Sequence, residues 1–148
     1  MAEQTTSSIF IEADPAAVMA VIADFEAYPE WAKGVRSCEV LTEDDAGRAG
    51  EVRFVLDAPP IRDTYTLTYE WYGDHEVSWS LVEATVLKAM EGSYRLERLD
   101  GGTEVTYQLS VELMIPMIGM LKRKGERVII DTALKGLKQR VESGPGAA

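Results

Sequence analysis

Carboxylate and phenol side chains in the middle of the chain have the types and spacing needed for acid–base chemistry. Asp63, Tyr65 and Glu83 share the alternation of the aromatic residues around them, which predicts that they face the interior. A base and a donor that converge in an apolar pocket could remove a proton beside a carbonyl group and stabilise the enolate. These three are the candidate catalytic residues. The wider set adds Glu70, Glu91, Tyr94 and Tyr107 as acid or base, and Arg53, Arg62 and Arg95 as oxyanion partners.

A structural role for the carboxylates is the alternative. Carboxylates near strand ends usually face solvent or pair with arginine. Asp63 next to Arg62 would then be only a surface ion pair, and Glu70, which alternates with the aromatic residues, is predicted to face solvent.

The numbers of cysteine and histidine argue against other chemistries. The chain has one cysteine, Cys38, and one histidine, His75. Zinc sites need several Cys or His ligands, and Ser or Cys nucleophiles usually need a histidine base. We therefore expect no metal and no cofactor. Cys38 is predicted to be a small core residue, and His75 a polar residue of an exposed turn.

The charge of the chain limits its partners. A net charge of -10 disfavours binding to nucleic acid phosphates and stable docking to an anionic membrane. The sequence shows neither a basic, apolar secretory start nor the roughly 18 apolar residues of a spanning helix. We expect a cytoplasmic protein without a nucleic acid partner or stable membrane insertion. The oligomeric state is not encoded in any pattern.

The basic cluster Lys122, Arg123, Lys124 and Arg127 is the one basic region of this acidic chain. It has the chemistry of a local anchor for a ligand carboxylate or phosphate. The favoured alternative is a solvated helix face that is balanced by Glu126 and Asp131.

The elements that position these residues follow from periodicity. Residues 7–12 alternate as a strand, and Asp14-Pro15 supplies an N-cap followed by proline at the start of a helix to about Ala23. Residues 29–33 predict a second short helical turn, which Gly34 ends. The period then changes to two, which predicts strands at residues 35–41, 50–56, 62–72, 77–81, 86–99 and 103–113.

The aromatic residues lie on one face of these strands. If that face points inward, it lines a cavity, although such residues also commonly pack on one another as a core. Tyrosine outnumbers phenylalanine, which favours a site where a ligand meets a buried phenol. The candidate ligand-binding residues are Phe54, Tyr65, Tyr69, Trp71, Trp79, Met90, Tyr94 and Tyr107 from strands, and Met117, Ile118, Leu121 and Val128 from the last helix.

That helix is predicted from Pro116 to about Val141. Its apolar residues form two stripes on nearly opposite sides. We expect either a bend at Gly119 or Gly125 or two halves that face different surfaces. One stripe is Met114, Met117, Ile118, Leu121, Gly125 and Val128, and the other is Ile130, Leu134, Leu137 and Val141.

Several segments resemble the polyketide cyclase/dehydrase and lipid-transport group of the START-like (SRPBCC, Bet v 1-like) superfamily. They are residues 11–18, residues 24–31 (Asp-Phe-Glu-Ala-Tyr-Pro-Glu-Trp), residues 102–105 and residues 133–138. The resemblance implies an α+β helix-grip fold, in which a curved antiparallel sheet of about seven strands wraps around a long C-terminal helix. Two short helices would follow strand 1. One START-like domain is expected over residues 1–142, with a disordered tail at 143–148.

Three functions remain open, because this superfamily includes carriers, cyclases and receptors. The leading hypothesis is carrier-like binding of a hydrophobic small molecule such as a lipid, polyketide or isoprenoid. The second is a polyketide aromatase/cyclase or dehydrase. The third is a protein-interaction module whose cavity is vestigial.

Overall fold

The main element of the protein is a seven-stranded antiparallel sheet. The computed structural model describes residues 5–32, 34–58, 61–114 and 119–143. The strands are β1 (Thr5–Ile11), β2 (Val35–Val40), β3 (Glu51–Ala58), β4 (Ile61–Tyr72), β5 (Glu76–Ala84), β6 (Leu87–Leu99) and β7 (Gly102–Leu113). Their order is β1-β7-β6-β5-β4-β3-β2, so each strand from β2 onward pairs with the next along the chain, and β1 closes against β7.

Within the described residues, three α-helices accompany the sheet: α1 (Pro15–Ala23), α2 (Tyr28–Trp31) and α3 (Gly119–Ser143). Pro15 begins α1 as predicted, because its fixed φ suits the first helical turn, but the Asp14 side chain makes no capping hydrogen bond. A 3₁₀ turn at Phe25–Ala27 joins α1 to α2. Gly34 follows α2 with φ of 96°, a left-handed conformation that glycine adopts at little cost.

Helix α3 packs mainly against β1 and β7, and it also contacts α1 and α2. This arrangement confirms the predicted helix-grip fold. Gly136 allows α3 to lie close to the end of α2, because a Cβ atom there would lie 2.3 Å from the carbonyl oxygen of Trp31. None of the helices in the described ranges combines the length and the apolar character that a membrane crossing requires.

The second predicted stripe of α3 is its buried face. Ile130, Leu134, Leu137 and Val141 are all buried, whereas Val128 of the first stripe is 43% exposed. The helix is continuous through Gly125, and the predicted bend stays a prediction. Of the other predictions for this region, Met114 is exposed at the end of β7. Residues 115–118, the side chain of Leu121 and tail residues 144–148 lie outside the described residues.

Glu126 corrects a prediction. It was expected on a solvated face, but it is fully buried, one turn before Ile130 on the face of α3 that meets the sheet. The Thr5 hydroxyl donates to its Oε1 at 2.7 Å, and the backbone N–H of Val111 donates to its Oε2 at 2.7 Å. Lys122 Nζ lies 3.1 Å from the same Oε2. The carboxylate is tolerated because these donors replace the water that it has lost.

Candidate functional site

A cavity lies between the concave face of the sheet, α2 and α3. It measures about 90 Å³ as the space open to the centre of a water molecule, several times the roughly 10–15 Å³ that one water needs on this measure. Its walls are almost entirely aromatic and aliphatic. The lining residues are Tyr28, Trp31, Ala32, Val35, Phe54, Leu56, Tyr65, Leu67, Tyr69, Trp79, Met90, Tyr94, Tyr107, Val128, Ile129, Thr132 and Ala133.

The aromatic rings of the lining also pack on one another. Tyr94 and Tyr107 have ring centroids 4.6 Å apart, and Trp79 lies 5.4 Å from Tyr94. Phe54 stacks on Tyr65 at 5.4 Å. The interpretation as a packed core and the interpretation as a cavity wall therefore each describe part of the arrangement, because the rings form a core cluster and leave a space on its inner side. Mutual packing holds the walls in place without a ligand.

Strand pairing explains how Trp79 fits into this wall. Gly92 on β6 lies opposite Trp79 on β5. A Cβ atom at Gly92 would lie only 2.6 Å from the Trp79 indole. The indole thus occupies the space that a side chain at position 92 would fill, which brings the ring against Tyr107 at 5.5 Å.

The phenols of the lining supply hydrogen-bond donors. Tyr28 donates its hydroxyl to the Ile22 carbonyl. Within the described residues, no hydrogen-bond partner is found for the hydroxyls of Tyr65, Tyr69, Tyr94 and Tyr107, which leaves them available to a ligand. Burial raises the pKa of all five phenols well above the usual value of 10, so they stay neutral at physiological pH.

Most of the predicted ligand-binding residues line this cavity. Trp71 does not, although it has the predicted strand parity. Its Nε1 donates to the Ala49 carbonyl at 2.8 Å, and its ring packs against Phe25 and beneath the Arg48 guanidinium, 4.9 Å away. Met117, Ile118 and Leu121 have no described side chains. The predicted residues that line the cavity are Phe54, Tyr65, Tyr69, Trp79, Met90, Tyr94, Tyr107 and Val128.

Helix α2 and a second row of α3 also line the cavity, and neither was predicted from the sequence. Tyr28 and Trp31, three residues apart, both line the cavity from α2. Helical spacing from Val128 could have identified Thr132, which lies one turn further along the same face. Ile129 and Ala133, which are also four residues apart, line the cavity from the neighbouring row of α3.

Asp63 lies in a network of backbone hydrogen bonds outside the cavity. Its side chain is buried but does not line the cavity. Instead the carboxylate accepts backbone N–H bonds from Thr64 at 2.8 Å, Thr85 at 3.2 Å, Val86 at 2.9 Å and Leu87 at 2.8 Å. Asp63 therefore holds the turn between β5 and β6 through three donors, at Thr85, Val86 and Leu87, and binds its neighbour Thr64 on β4 through the fourth.

Glu83 is also placed away from the cavity. Thr66 pairs with Glu83 but Leu67 pairs with Leu81, so a bulge at Val82 interrupts the ladder. Since one extra residue reverses the alternation, Glu83 turns outward and is exposed, while Ala84 takes the inward parity. Of the three candidate catalytic residues, the structure brings only Tyr65 to the cavity.

Tyr94 and Tyr107 of the wider acid–base set line the cavity, whereas its carboxylates and arginines lie on the surface. Glu70 and Glu91 are exposed. Arg53 pairs with Glu39 at 3.6 Å, Arg62 with Asp57 at 3.0 Å, and Arg95 with Glu76 at 3.9 Å, and none of these arginines lines the cavity.

His75 is exposed in the turn before β5, and half-buried Cys38 has its thiol pKa raised by burial to about 12. In the described ranges, no three His, Cys, Asp or Glu side chains converge as a metal site would require.

Replacing Asp63 is expected to reduce stability and leave binding intact. Asp63→Ala strands four backbone donors, and Asp63→Asn keeps one acceptor, so we expect losses of about 3 and 2 kcal/mol in the free energy of unfolding. Urea unfolding followed by circular dichroism measures both. Exposed Glu83→Ala is the control and should change stability by less than about 0.5 kcal/mol. An Asp63→Asn protein of unchanged stability that no longer bound or converted a ligand would restore the catalytic assignment.

The family model for "Polyketide cyclase / dehydrase and lipid transport" matches residues 2–142. The chain therefore belongs to that family. No protein of curated function matches the sequence.

Solved structures show the same fold. A START superfamily protein from Mycobacterium smegmatis is 20% identical, with a TM-score of 0.87 over 94% of this chain and 97% of that one. A protein from Thermus thermophilus is 26% identical, with a TM-score of 0.79 over 94% and 97%. The Zhui aromatase/cyclase from a Streptomyces species is 16% identical, with a TM-score of 0.79 over 96% and 94%. At these identities the likeness concerns the fold, and it is shared by a cyclase.

Proposed function

We propose that this protein binds a hydrophobic small molecule in the cavity and acts as a carrier. The observation that carries the proposal is the preformed space between the sheet and α3, whose described walls are almost entirely aromatic and aliphatic. An apolar ligand moved there from water gains roughly 25 cal/mol for each Å² of buried apolar surface. The cytoplasmic location expected from the sequence is part of the same proposal.

The chemistry of the walls favours binding over cyclisation. The described lining residues offer phenol, indole and hydroxyl donors but no carboxylate and no imidazole. Proton abstraction beside a carbonyl needs a base, and a phenol with a strongly raised pKa is a poor one at neutral pH. These neutral donors suit the recognition of a ligand that leaves unchanged.

Native mass spectrometry of freshly purified protein, followed by organic extraction, tests this proposal. We expect a co-purifying apolar molecule near one-to-one ratio, or, for empty protein, stabilisation by apolar probes. The stabilisation should reach about 3–4 kcal/mol at 100–1,000 times the dissociation constant.

A variant that fills the cavity provides the matched comparison. Ala133 lines the cavity from α3, so Ala133→Phe should occupy the space and abolish binding, while Lys135→Phe on an exposed position should bind normally. Empty protein that no apolar probe stabilises would overturn the proposal. Equal binding by the wild type and Ala133→Phe would place the ligand elsewhere.

A further inference from the structure

The described lining of the cavity carries polar groups but no charge. The lining residues carry polar side-chain groups of three kinds, namely the Tyr hydroxyls, the Thr132 hydroxyl and the indole N–H groups of Trp31 and Trp79. All of these groups are hydrogen-bond donors, of which the Tyr28 hydroxyl is already used by the Ile22 carbonyl, and the phenols remain neutral because burial raises their pKa. A ligand with oxygen acceptors can therefore be satisfied here, whereas a carboxylate finds no cation among these residues to replace its hydration.

Trp31 supplies a second, independent observation. Its side chain is about nine-tenths buried, and within the described residues its Nε1 is a buried side-chain polar atom without a hydrogen-bond partner. By contrast, Trp71 outside the cavity donates its Nε1–H to the Ala49 carbonyl. Buried donors are nearly always paired, and an unpaired one costs free energy that an incoming acceptor recovers.

Trp31 borders the cavity, while its Nε1 atom has almost no accessible surface of its own. Trp31 ends α2, borders the cavity, and lies with its ring centroid 4.8 Å from that of Tyr28. Its main chain is held against Gly136 of α3, where a Cβ atom would come within 2.3 Å of its carbonyl oxygen. The backbone is thus fixed, and no polar partner among the described residues holds the indole N–H. Donation to a ligand requires the ring to turn this N–H toward the cavity.

We infer that the cavity selects an uncharged ligand with at least one carbonyl or ether-type oxygen, and that the Trp31 indole N–H donates a hydrogen bond to that oxygen. The inference rests on the proposed function, because it names the ligand class for the same cavity. It excludes free fatty acids and other carboxylates as preferred ligands, and it makes Trp31 a specificity-determining residue.

Three single-ring probes of similar size separate what apolar contact, a neutral oxygen acceptor and a negative charge each contribute to the binding affinity. Ethylbenzene is apolar, acetophenone adds a neutral carbonyl oxygen, and benzoate carries a charge at pH 7. Binding is followed by ¹H–¹⁵N spectra of the indole groups, since the chain has three tryptophans and gives three such signals. The Trp31 signal is assigned through its proximity to the Tyr28 ring. Each probe is titrated into the wild type, Trp31→Phe and Trp71→Phe, which loses an indole N–H outside the cavity.

Both ethylbenzene and acetophenone should bind the wild type, and acetophenone alone should move the Trp31 indole proton strongly downfield. Trp31→Phe should weaken acetophenone about three- to tenfold and ethylbenzene less than about twofold. Trp71→Phe should leave the ratio of the two affinities unchanged. Benzoate should bind at least about 100-fold more weakly than acetophenone at pH 7.

The outcomes separate this inference from the proposed function. If no probe binds, the proposed function is contradicted, and the ligand class inferred from it is contradicted with it. If ethylbenzene binds but benzoate binds as tightly as acetophenone, the cavity accepts anions and the ligand class is wrong. If acetophenone binds without a downfield shift at Trp31, the donor assignment is wrong, and this wild-type result stands even where Trp31→Phe does not fold.

Discussion

Raising the pH above about 10 is expected to unfold this protein over a narrow range. Five tyrosines, at positions 28, 65, 69, 94 and 107, have their pKa raised by burial. In the unfolded chain the same phenols ionise near their ordinary value of about 10. Burial thus keeps protons on the native protein at pH values where the unfolded chain releases them.

The sign of the effect follows from proton linkage. Above about pH 10 the unfolded chain binds fewer protons than the native protein, so the free energy of unfolding falls as the pH rises. Each phenol lowers the free energy of unfolding by up to about 1.4 kcal/mol per pH unit, and the five together lower it by up to about 7 kcal/mol per pH unit. Cys38 adds to the loss from about pH 9, since burial raises its pKa to about 12. This loss is comparable to the whole stability of a small domain.

Absorbance at 295 nm reports phenolate, and far-ultraviolet circular dichroism reports the fold. We expect both to change together near pH 11, apart from the contribution of exposed Tyr72. Tyr107→Phe should remove one of the linked protons and lower the steepness of the transition, while Tyr72→Phe should affect it less. Phenolate formation by all six tyrosines near pH 10 with the fold intact would contradict this account.

Removing the Glu126 carboxylate is expected to cause the largest loss of stability from a single substitution considered for this chain. Glu126→Ala leaves the Thr5 hydroxyl and the Val111 N–H without their acceptor and takes the partner from Lys122. It also opens a void where α3 meets β1 and β7. We expect the free energy of unfolding to fall by about 3–5 kcal/mol, which urea unfolding at pH 7 measures.

Glu126→Gln is the matched variant, because it keeps the shape and one acceptor oxygen. It should lose about 1–2 kcal/mol. Lys124→Ala, exposed on the same helix, should change stability by less than about 0.5 kcal/mol. A Glu126→Ala protein within 1 kcal/mol of the wild type would show that water reaches these groups, and that Glu126 does not anchor α3 to the sheet.

Local patterns were sufficient for the strands, and the resemblance to the START-like superfamily supplied the fold class. The alternation of Val105, Tyr107, Leu109 and Val111 predicted β7 and its inward face, since side chains on a strand alternate between two surfaces. The same rule placed Tyr65, Tyr69 and Trp79 on the concave side. Pro15 and Gly34 marked the start of α1 and the end of α2 because each restricts or permits backbone angles locally.

The tertiary structure decided the outcome wherever a residue depends on a distant partner. The bulge at Val82 reverses the alternation of β5, so Glu83 faces outward. Asp63 is buried because its acceptors meet the turn 22 to 24 residues later, and Glu126 because Thr5 and Val111 converge on it from two strands. Trp31 reaches the cavity only because α2 is held against Gly136. No period in a sequence records such long-range pairings, since periodicity arises from the repeat of a single element.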